Sequence, residues 1–329
     1  MMIFNKQTNE QNNRQSGIEL LKIIAIILIV IFHVIQSLTN TNSYITYDQY
    51  ILDISHSTTS ISNLLLVYFR QFGALGNNIF FVCSAWFLLE SKKTNKYKIF
   101  TMIVKIWIIS ILFLLTFIFS NVNMSNSVII KSLFPTTFSV NWYMTCYIIF
   151  YMIHPALNKM IYSMDRVQLF RTALLLDIMY IFADFIKKDL FFPSNLILWF
   201  TLYIIIAYIK QFKLCFQNNI KLNFELFGFC LLVNIILIAV TDFLGLHVNM
   251  LDNKLLYWEN MSNPFIIGQA ISLFNIFRNF PLKNHIINYM SSLSILVYII
   301  HENLIFRNYI RPCIWQYIYN NIGYRYVLL

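Results

Sequence analysis

Charge is what this sequence has least of. Lys, Arg, Asp and Glu together make up 12% of its 329 residues, about half the roughly 25% of a soluble domain. Apolar residues make up 58%. Such a chain cannot cover its surface against water, so the bilayer must be its solvent. Other absences narrow the reading. Five cysteines are present (Cys83, Cys146, Cys215, Cys230 and Cys313). Their number is odd, no two stand in a C-x-x-C spacing, and most lie inside apolar runs. A zinc or disulfide framework is therefore not expected, no metal is expected, and the thiols read as small buried hydrophobes. The net charge is +10, but no basic stripe is interleaved with stacking aromatics. Nucleic acid is thus not an expected partner. No small-residue cleavage site follows the first apolar segment, which is expected to stay in the membrane. No repeat of solenoid period is visible.

What is there is a succession of apolar segments. A helix needs about 20 mostly apolar residues to cross the hydrocarbon core. Candidates fall near 18–38, 70–90, 99–121, 139–158, 167–186, 192–211, 222–244, 264–281 and 286–305. The expected fold class is all-α, a polytopic transmembrane helix bundle of about nine to ten spans. The uncertain tenth lies in the tail from Arg307 to Leu329, where Asn320, Asn321, Gly323 and Arg325 interrupt the apolar run. Residues 1–17 read as a polar cytoplasmic tail and 18–329 as the membrane domain. Phe (31) and Tyr (20) are abundant, suited to lipid-facing surface and to the headgroup level.

Cations set the expected orientation. With the N-terminus cytoplasmic, the even-numbered loops also face in. They hold Lys92, Lys93, Lys96 and Lys98, then Lys159, Arg166 and Arg171, then Lys210, Lys213 and Lys221, then Arg278 and Lys283. The other loops hold fewer, and the long loop from Thr39 to Asn63 holds none. This asymmetry is the positive-inside pattern.

Ionisable residues inside membrane segments are costly and by default mark function. The first segment carries Glu19, Lys22 and His33. Lys22 and His33 are eleven residues apart, which brings them within about 20° of one helix face and separates them by about 16 Å. Glu19 lies three residues before Lys22, close enough to pair with it. Near a helix end such a pair is also ordinary snorkelling, and a lone histidine can be a satisfied packing residue. Their common stripe favours function.

The segment E-L-L-K-I-I-A-I-I-L-I-V-I-F-H (Glu19 to His33) resembles the opening helix of the integral-membrane acyltransferase 3 family. That family includes O-acetyltransferases of cell-surface polysaccharides. Its motif is an acidic residue followed by R-x10-H, and Lys22 stands here at the arginine. Arginine grips phosphate through a planar fork, whereas lysine offers a point charge. G-N-N-I-F-F-V-C-S-A-W-F-L-L (Gly76 to Leu89) is similar to the family's F-F-x-x-S-G-[FY] span, with Ala85 and Trp86 in place of the glycine and aromatic. The run Lys92 to Lys98 sits at its basic cytoplasmic loop. N-W-Y-M-T-C-Y-I-I-F-Y-M-I-H-P (Asn141 to Pro155) and S-S-L-S-I-L-V-Y-I-I-H-E (Ser291 to Glu302) resemble two further family helices. The resemblance runs in order from Glu19 to Glu302. The family continues into a further span, for which this chain leaves little room, so the expected domain lacks that last span.

The resemblance implies transfer of an acyl group, acetyl by preference, from acyl-CoA to a hydroxyl of a cell-surface polysaccharide or its lipid-linked precursor. His33 is the expected catalytic base, since an imidazole titrates near neutrality, and Glu19, at the family's acidic position, is the other expected catalytic residue. Lys22, Lys92, Lys93 and Lys98 are expected to hold the phosphates of acetyl-CoA. Trp142, Tyr143, His301 and Glu302 are expected to contact the acceptor. For Trp142 and Tyr143 an aromatic belt is the first physical reading, with sugar stacking using the same residues, and for His301 and Glu302 an interfacial pair is an equal alternative. Arg70, Asn77 and Asn78 stay open between acceptor contact and anchoring. His154, before Pro155, reads as structural. The competing functions are a transporter or flippase, or a polymerase, of a lipid-linked envelope sugar. No internal symmetry of the kind many transporters show is visible, and the long outer loop lacks the arginines expected of a polymerase.

Overall fold

Each of the nine apolar segments contains a helix. The computed structural model describes residues 15–38, 54, 56–58, 60–186, 194–212, 214–252, 254–314 and 317. Most of the tail 1–17, the loop 39–53 and the last residues of the chain lie outside them. The helices are α1 (Ser16–Leu38), α2 (Ile61–Leu88), α3 (Lys96–Phe119), α4 (Asn126–Leu133), α5 (Trp142–Ser163), α6 (Arg166–Ile186), α7 (Ser194–Gln211), α8 (Ile220–Gly245), α9 (Pro264–Arg278), α10 (His285–Ser292) and α11 (Ser294–His301). Among the described residues there is no strand.

The helix starts follow from local chemistry. The side chains of Asn95, Ser125, Asn219, Asn263 and Asn284 accept the first backbone N–H groups of α3, α4, α8, α9 and α10. Those donors have no partner inside the helix. Pro264 opens α9, at a position where its missing N–H costs nothing.

Three helical segments are long and apolar enough to cross a bilayer: Ser16–Gln36, Lys96–Phe119 and Ile220–Gly245. A fourth is added if His285–His301 and Phe306–Ile314, bent by 66°, form one broken span. The others fall short of the expected nine to ten for identifiable reasons. The 15 residues of α9 reach only about 22 Å. On α2, Arg70, Gln71, Asn77 and Asn78 lower the hydropathy, yet all four are buried in protein.

The chain forms two units. The first comprises residues 1–41, 50–93 and 153–294, the second 42–49, 94–152 and 295–329. In the first, α2 packs on α1 and α9, and α9 on α8. Its helices alternate in direction, giving it two ends. One end gathers the starts of α1 and α8 with the ends of α2, α7 and α9, as contacts among Ser16, Asn284, Glu90, Lys210, Gln217 and Arg278 show. This basic end also carries Lys92 and Lys93. At the far end, Ile35, Ile54, Leu66, Val67, Ile238 and Leu255 form an apolar cluster.

In the second unit α4 lies on α3. Trp107 donates from Nε1 to the Leu133 carbonyl (3.0 Å) and Ser110 from Oγ to that of Ser132 (2.8 Å). Phe113 and Phe117 meet Phe306 and Tyr309, with ring centroids 6.3 and 5.6 Å apart.

Candidate functional site

The stripe on α1 is seated by glycine. A Cβ at Gly76 would stand 2.6 Å from the Ala25 carbonyl oxygen, and one at Gly73 would stand 2.5 Å from the Phe32 ring. Neither position has room for a side chain, so α2 approaches α1 at backbone distance. Lys22 Nζ lies 2.9 Å from Glu19 Oε1. Glu19 is buried and Lys22 half-buried, so the lysine expected to meet donor phosphate already holds a carboxylate. Further along, His33 Nδ1 is 3.1 Å from Gln36 Oε1. With Gln36 as acceptor, the ring proton sits on Nδ1, and Nε2 carries the basic lone pair. The His33 ring meets Phe32 edge-on at 4.9 Å.

Phe32 in turn lies 5.8 Å from the guanidinium of Arg70. Arg70 is 2% exposed and grips Glu259 through both carboxylate oxygens, Nε to Oε2 at 2.6 Å and Nη2 to Oε1 at 2.8 Å. This is a buried two-point ion pair, so the anchoring reading of Arg70 does not hold. Asn78 is likewise committed, donating to the Met261 carbonyl at 2.9 Å. Beside it runs a chain of amides: Asn263 donates to Asn234 at 2.9 Å, and Asn234 donates to Gln71. His154 is fully buried.

The four residues expected to contact an acceptor fall together in the second unit. Trp142 packs on Tyr143 at 5.6 Å, Tyr143 on Tyr298 at 5.8 Å, and Tyr298 on His301 at 5.6 Å. The Tyr143 N–H donates to Tyr298 Oη at 3.4 Å. His301 Nδ1 donates to the Val297 carbonyl at 2.7 Å, and its Nε2 lies 4.0 Å from Glu302. Glu302 sits where the helix breaks after His301. It is 3% exposed and pairs with Arg311 at 2.9 Å and Arg307 at 3.5 Å. Tyr143 and Glu302 are therefore buried, which removes the belt reading of the first and the water-facing reading of the second. The two arginines were not expected from the sequence. Their signal is a pair of cations four residues apart, starting five residues after an acid.

The lysines of the basic loop do not act as one group. Lys92 and Lys93 are exposed in the turn after α2. That turn is fixed by Asn158, whose Nδ2 donates to Leu88 O (2.9 Å) and Ser91 O (3.0 Å), and by the Tyr162 hydroxyl on Leu89 O (2.8 Å). Lys98 belongs to the second unit, with Nζ 4.7 Å from the centre of the Tyr151 ring and 3.5 Å from the Tyr147 hydroxyl. A cluster not foreseen stands at the basic end of the first unit, where Lys210 and Arg278 both flank Trp86.

Comparison with curated proteins gives no match, and comparison with solved structures gives none. The family model described as "Acyltransferase domain" matches residues 15–329, nearly the whole chain and all of the helices above. With its apolar spans and an entirely helical fold among the described residues, this membrane protein belongs to the acyltransferase 3 family.

Proposed function

We propose that the protein transfers an acetyl group from acetyl-CoA to a hydroxyl of a cell-surface polysaccharide or its lipid-linked precursor. The observation that carries this reading is the arrangement on α1. His33 is held by Gln36 in the tautomer of a base, on one helix stripe with the Glu19–Lys22 pair, in a chain of an acyltransferase family.

In this reading His33 Nε2 takes the proton of the acceptor hydroxyl as its oxygen attacks the thioester carbonyl carbon. The resulting tetrahedral oxyanion collapses with cleavage of the C–S bond. The imidazolium returns the proton to the departing thiolate, leaving an ester and free CoA. The base must lie within hydrogen-bond reach of the hydroxyl, and the reacting atoms about 3–3.5 Å apart. Trp142, Tyr143, His301 and Glu302 would bind the sugar, whose flat faces suit aromatic rings. The basic end of the first unit would face the cytoplasm, where acyl-CoA is made, on the positive-inside argument. The pantetheine arm would run beside α1 over the roughly 16 Å between Lys22 and His33.

The test is transfer of labelled acetyl from acetyl-CoA to polysaccharide in membranes containing the protein. His33→Ala is expected to lower the rate by roughly 10²–10⁴-fold, the usual contribution of a general base. Full transfer by that variant would remove His33 from the mechanism. Movement of label or glycan without a new ester would favour transport instead.

A further inference from the structure

At the basic end of the first unit, two cations share one indole. Lys210 Nζ lies 4.6 Å and Arg278 Cζ 4.5 Å from the centre of the Trp86 ring. Phe274 packs against the same ring at 5.3 Å. The Lys210 ammonium donates to the Trp86 backbone carbonyl and pairs with Glu90 at 2.8 Å. Glu90 is a solvent-facing counter-ion, with its side chain 68% exposed.

Arg278 has no such partner among the described residues. Its Nη2 donates to neutral acceptors, the Gln217 carbonyl at 2.9 Å and Asn218 Oδ1 at 3.0 Å. Its Nε is buried and makes no hydrogen bond among the described residues. Two half-buried cations beside one another repel, and an aromatic face attracts each without neutralising either. One exposed carboxylate leaves the group with a formal surplus of one positive charge. Among the described residues the two cations share one carboxylate, so a further anion would balance them, and the unused Nε–H of Arg278 is a charged donor of the kind phosphate accepts. Lys22, the cation expected from the sequence to meet phosphate, is already held by Glu19.

We propose that Trp86, Lys210 and Arg278 form a phosphate-binding node that holds a phosphate of the nucleotide portion of the acyl donor. Assignment of the phosphate to that donor rests on the function proposed above. The node itself rests on its own charge and geometry. Lys210 neutralises from over the indole ring while Arg278 supplies a directional hydrogen bond from Nε. Trp86 gathers the two cations on its ring.

The full-length protein, purified in zwitterionic detergent, is titrated with adenosine 3′,5′-bisphosphate while tryptophan fluorescence is followed. Trp86→Phe identifies the part of the signal that arises at the node. Wild type is expected to bind. Arg278→Gln is expected to weaken binding about tenfold or more, the loss of a charge-assisted hydrogen bond. Arg278→Lys should fall between them, and Lys221→Gln, a cation outside the node, should bind as wild type. Because Arg278→Gln also removes contacts to Gln217 and Asn218, each variant is first shown to melt as wild type does; if Arg278→Gln does not, Arg278→Lys and Lys210→Gln carry the comparison. No binding of the bisphosphate by wild type, or equal binding by all variants, overturns the node. An anionic lipid headgroup carries the same chemistry, so the titration is repeated in phosphatidylglycerol and phosphatidylcholine nanodiscs. Complete displacement of the nucleotide by phosphatidylglycerol alone, dependent on Arg278, overturns the donor assignment. Bisphosphate binding without any acetyl transfer counts against the proposed reaction and leaves the node standing. Transfer with an unchanged KM for acetyl-CoA in Arg278→Gln does the reverse.

Discussion

At the scale of single residues, the costliest commitment is Arg70. Its guanidinium is buried, and its partner Glu259 has a side chain only 14% exposed. Removing one member of such a pair strands the other charge, at a cost of about 3–5 kcal/mol. Arg70→Gln is therefore expected to lower the melting temperature of the purified protein by many degrees. Replacing both members with Met should recover much of the loss, since two apolar side chains leave no orphaned charge. Equal melting of Arg70→Gln and wild type would mean that the pair carries no stability. Residues of this kind were only half legible in the sequence. Arg70 was visible as a charge near a span, but the 189 residues between it and Glu259 hid the pairing. Glu19 and Lys22 were legible because their pairing is local, three residues along one helix. Lys210 and Arg278 read as loop cations, and nothing in their spacing announced that both would reach Trp86.

At the scale of elements, apolar runs located every long helix, because each is long enough for its composition to dominate; the eight-residue α4 (Asn126–Leu133) is too short to show that way. The break after His301 was not legible. It depends on Asn303, whose Oδ1 accepts from the Ile305 N–H at 2.9 Å and restarts the chain as a helix, and on the arginines that meet Glu302. Another element-scale feature is the clamp on the segment 56–58. Asp252 accepts from the Ser57 N–H at 2.8 Å and lies 2.7 Å from His56 Nδ1, while Thr58 N–H donates to Asp242 at 2.8 Å. Gly245 lets Ser57 approach α8 at a distance no side chain would permit. The hydrogen bond with His56, and then that from Ser57, hold the Asp252 carboxyl below the usual carboxylate range. A carboxyl depressed on folding stabilises its clamp fully above its ordinary value, about 3.9, and loses that contribution as the pH falls through the lower folded value. The Ser57 amide should therefore stay protected from hydrogen exchange, after correction for intrinsic rates, from neutrality down to about pH 4. Protection should fade only in stronger acid. Asp252→Ala should exchange quickly at every pH, and protection that fades between pH 7 and 5 in wild type would contradict the clamp.

At the scale of the whole molecule, the proposed orientation makes a simple demand. The basic end of the first unit faces the cytoplasm, and the segment around His56 faces outward. Cys215, exposed between α7 and α8, should resist a membrane-impermeant thiol reagent in intact cells and react in inverted vesicles. A cysteine introduced at the exposed His56 should do the opposite. The reverse pattern would invert the topology and remove the access of cytoplasmic donor to the basic end. Overall charge asymmetry was legible in the sequence because it is a property of loops counted along the chain. The number of complete spans was not, because hydropathy cannot tell an asparagine facing lipid from one buried against another helix. Asn78 and Asn234, both fully buried, show the difference.

The Arg70–Glu259 pair also imposes an order in time. Synthesis runs from the N-terminus, so Arg70 leaves the ribosome 189 residues before the carboxylate that will neutralise it. Through that interval α2 carries an uncompensated cation, and its amides Gln71 and Asn78 also wait for partners on later segments. A helix in that condition is a poor independent lodger in hydrocarbon. The segment from Ile61 to Leu88 is therefore expected to settle in the bilayer only once α8 and the turn bearing Glu259 have arrived. The wall against which Ala25 and Phe32 of α1 rest is then expected to be among the last parts of the molecule to become permanent.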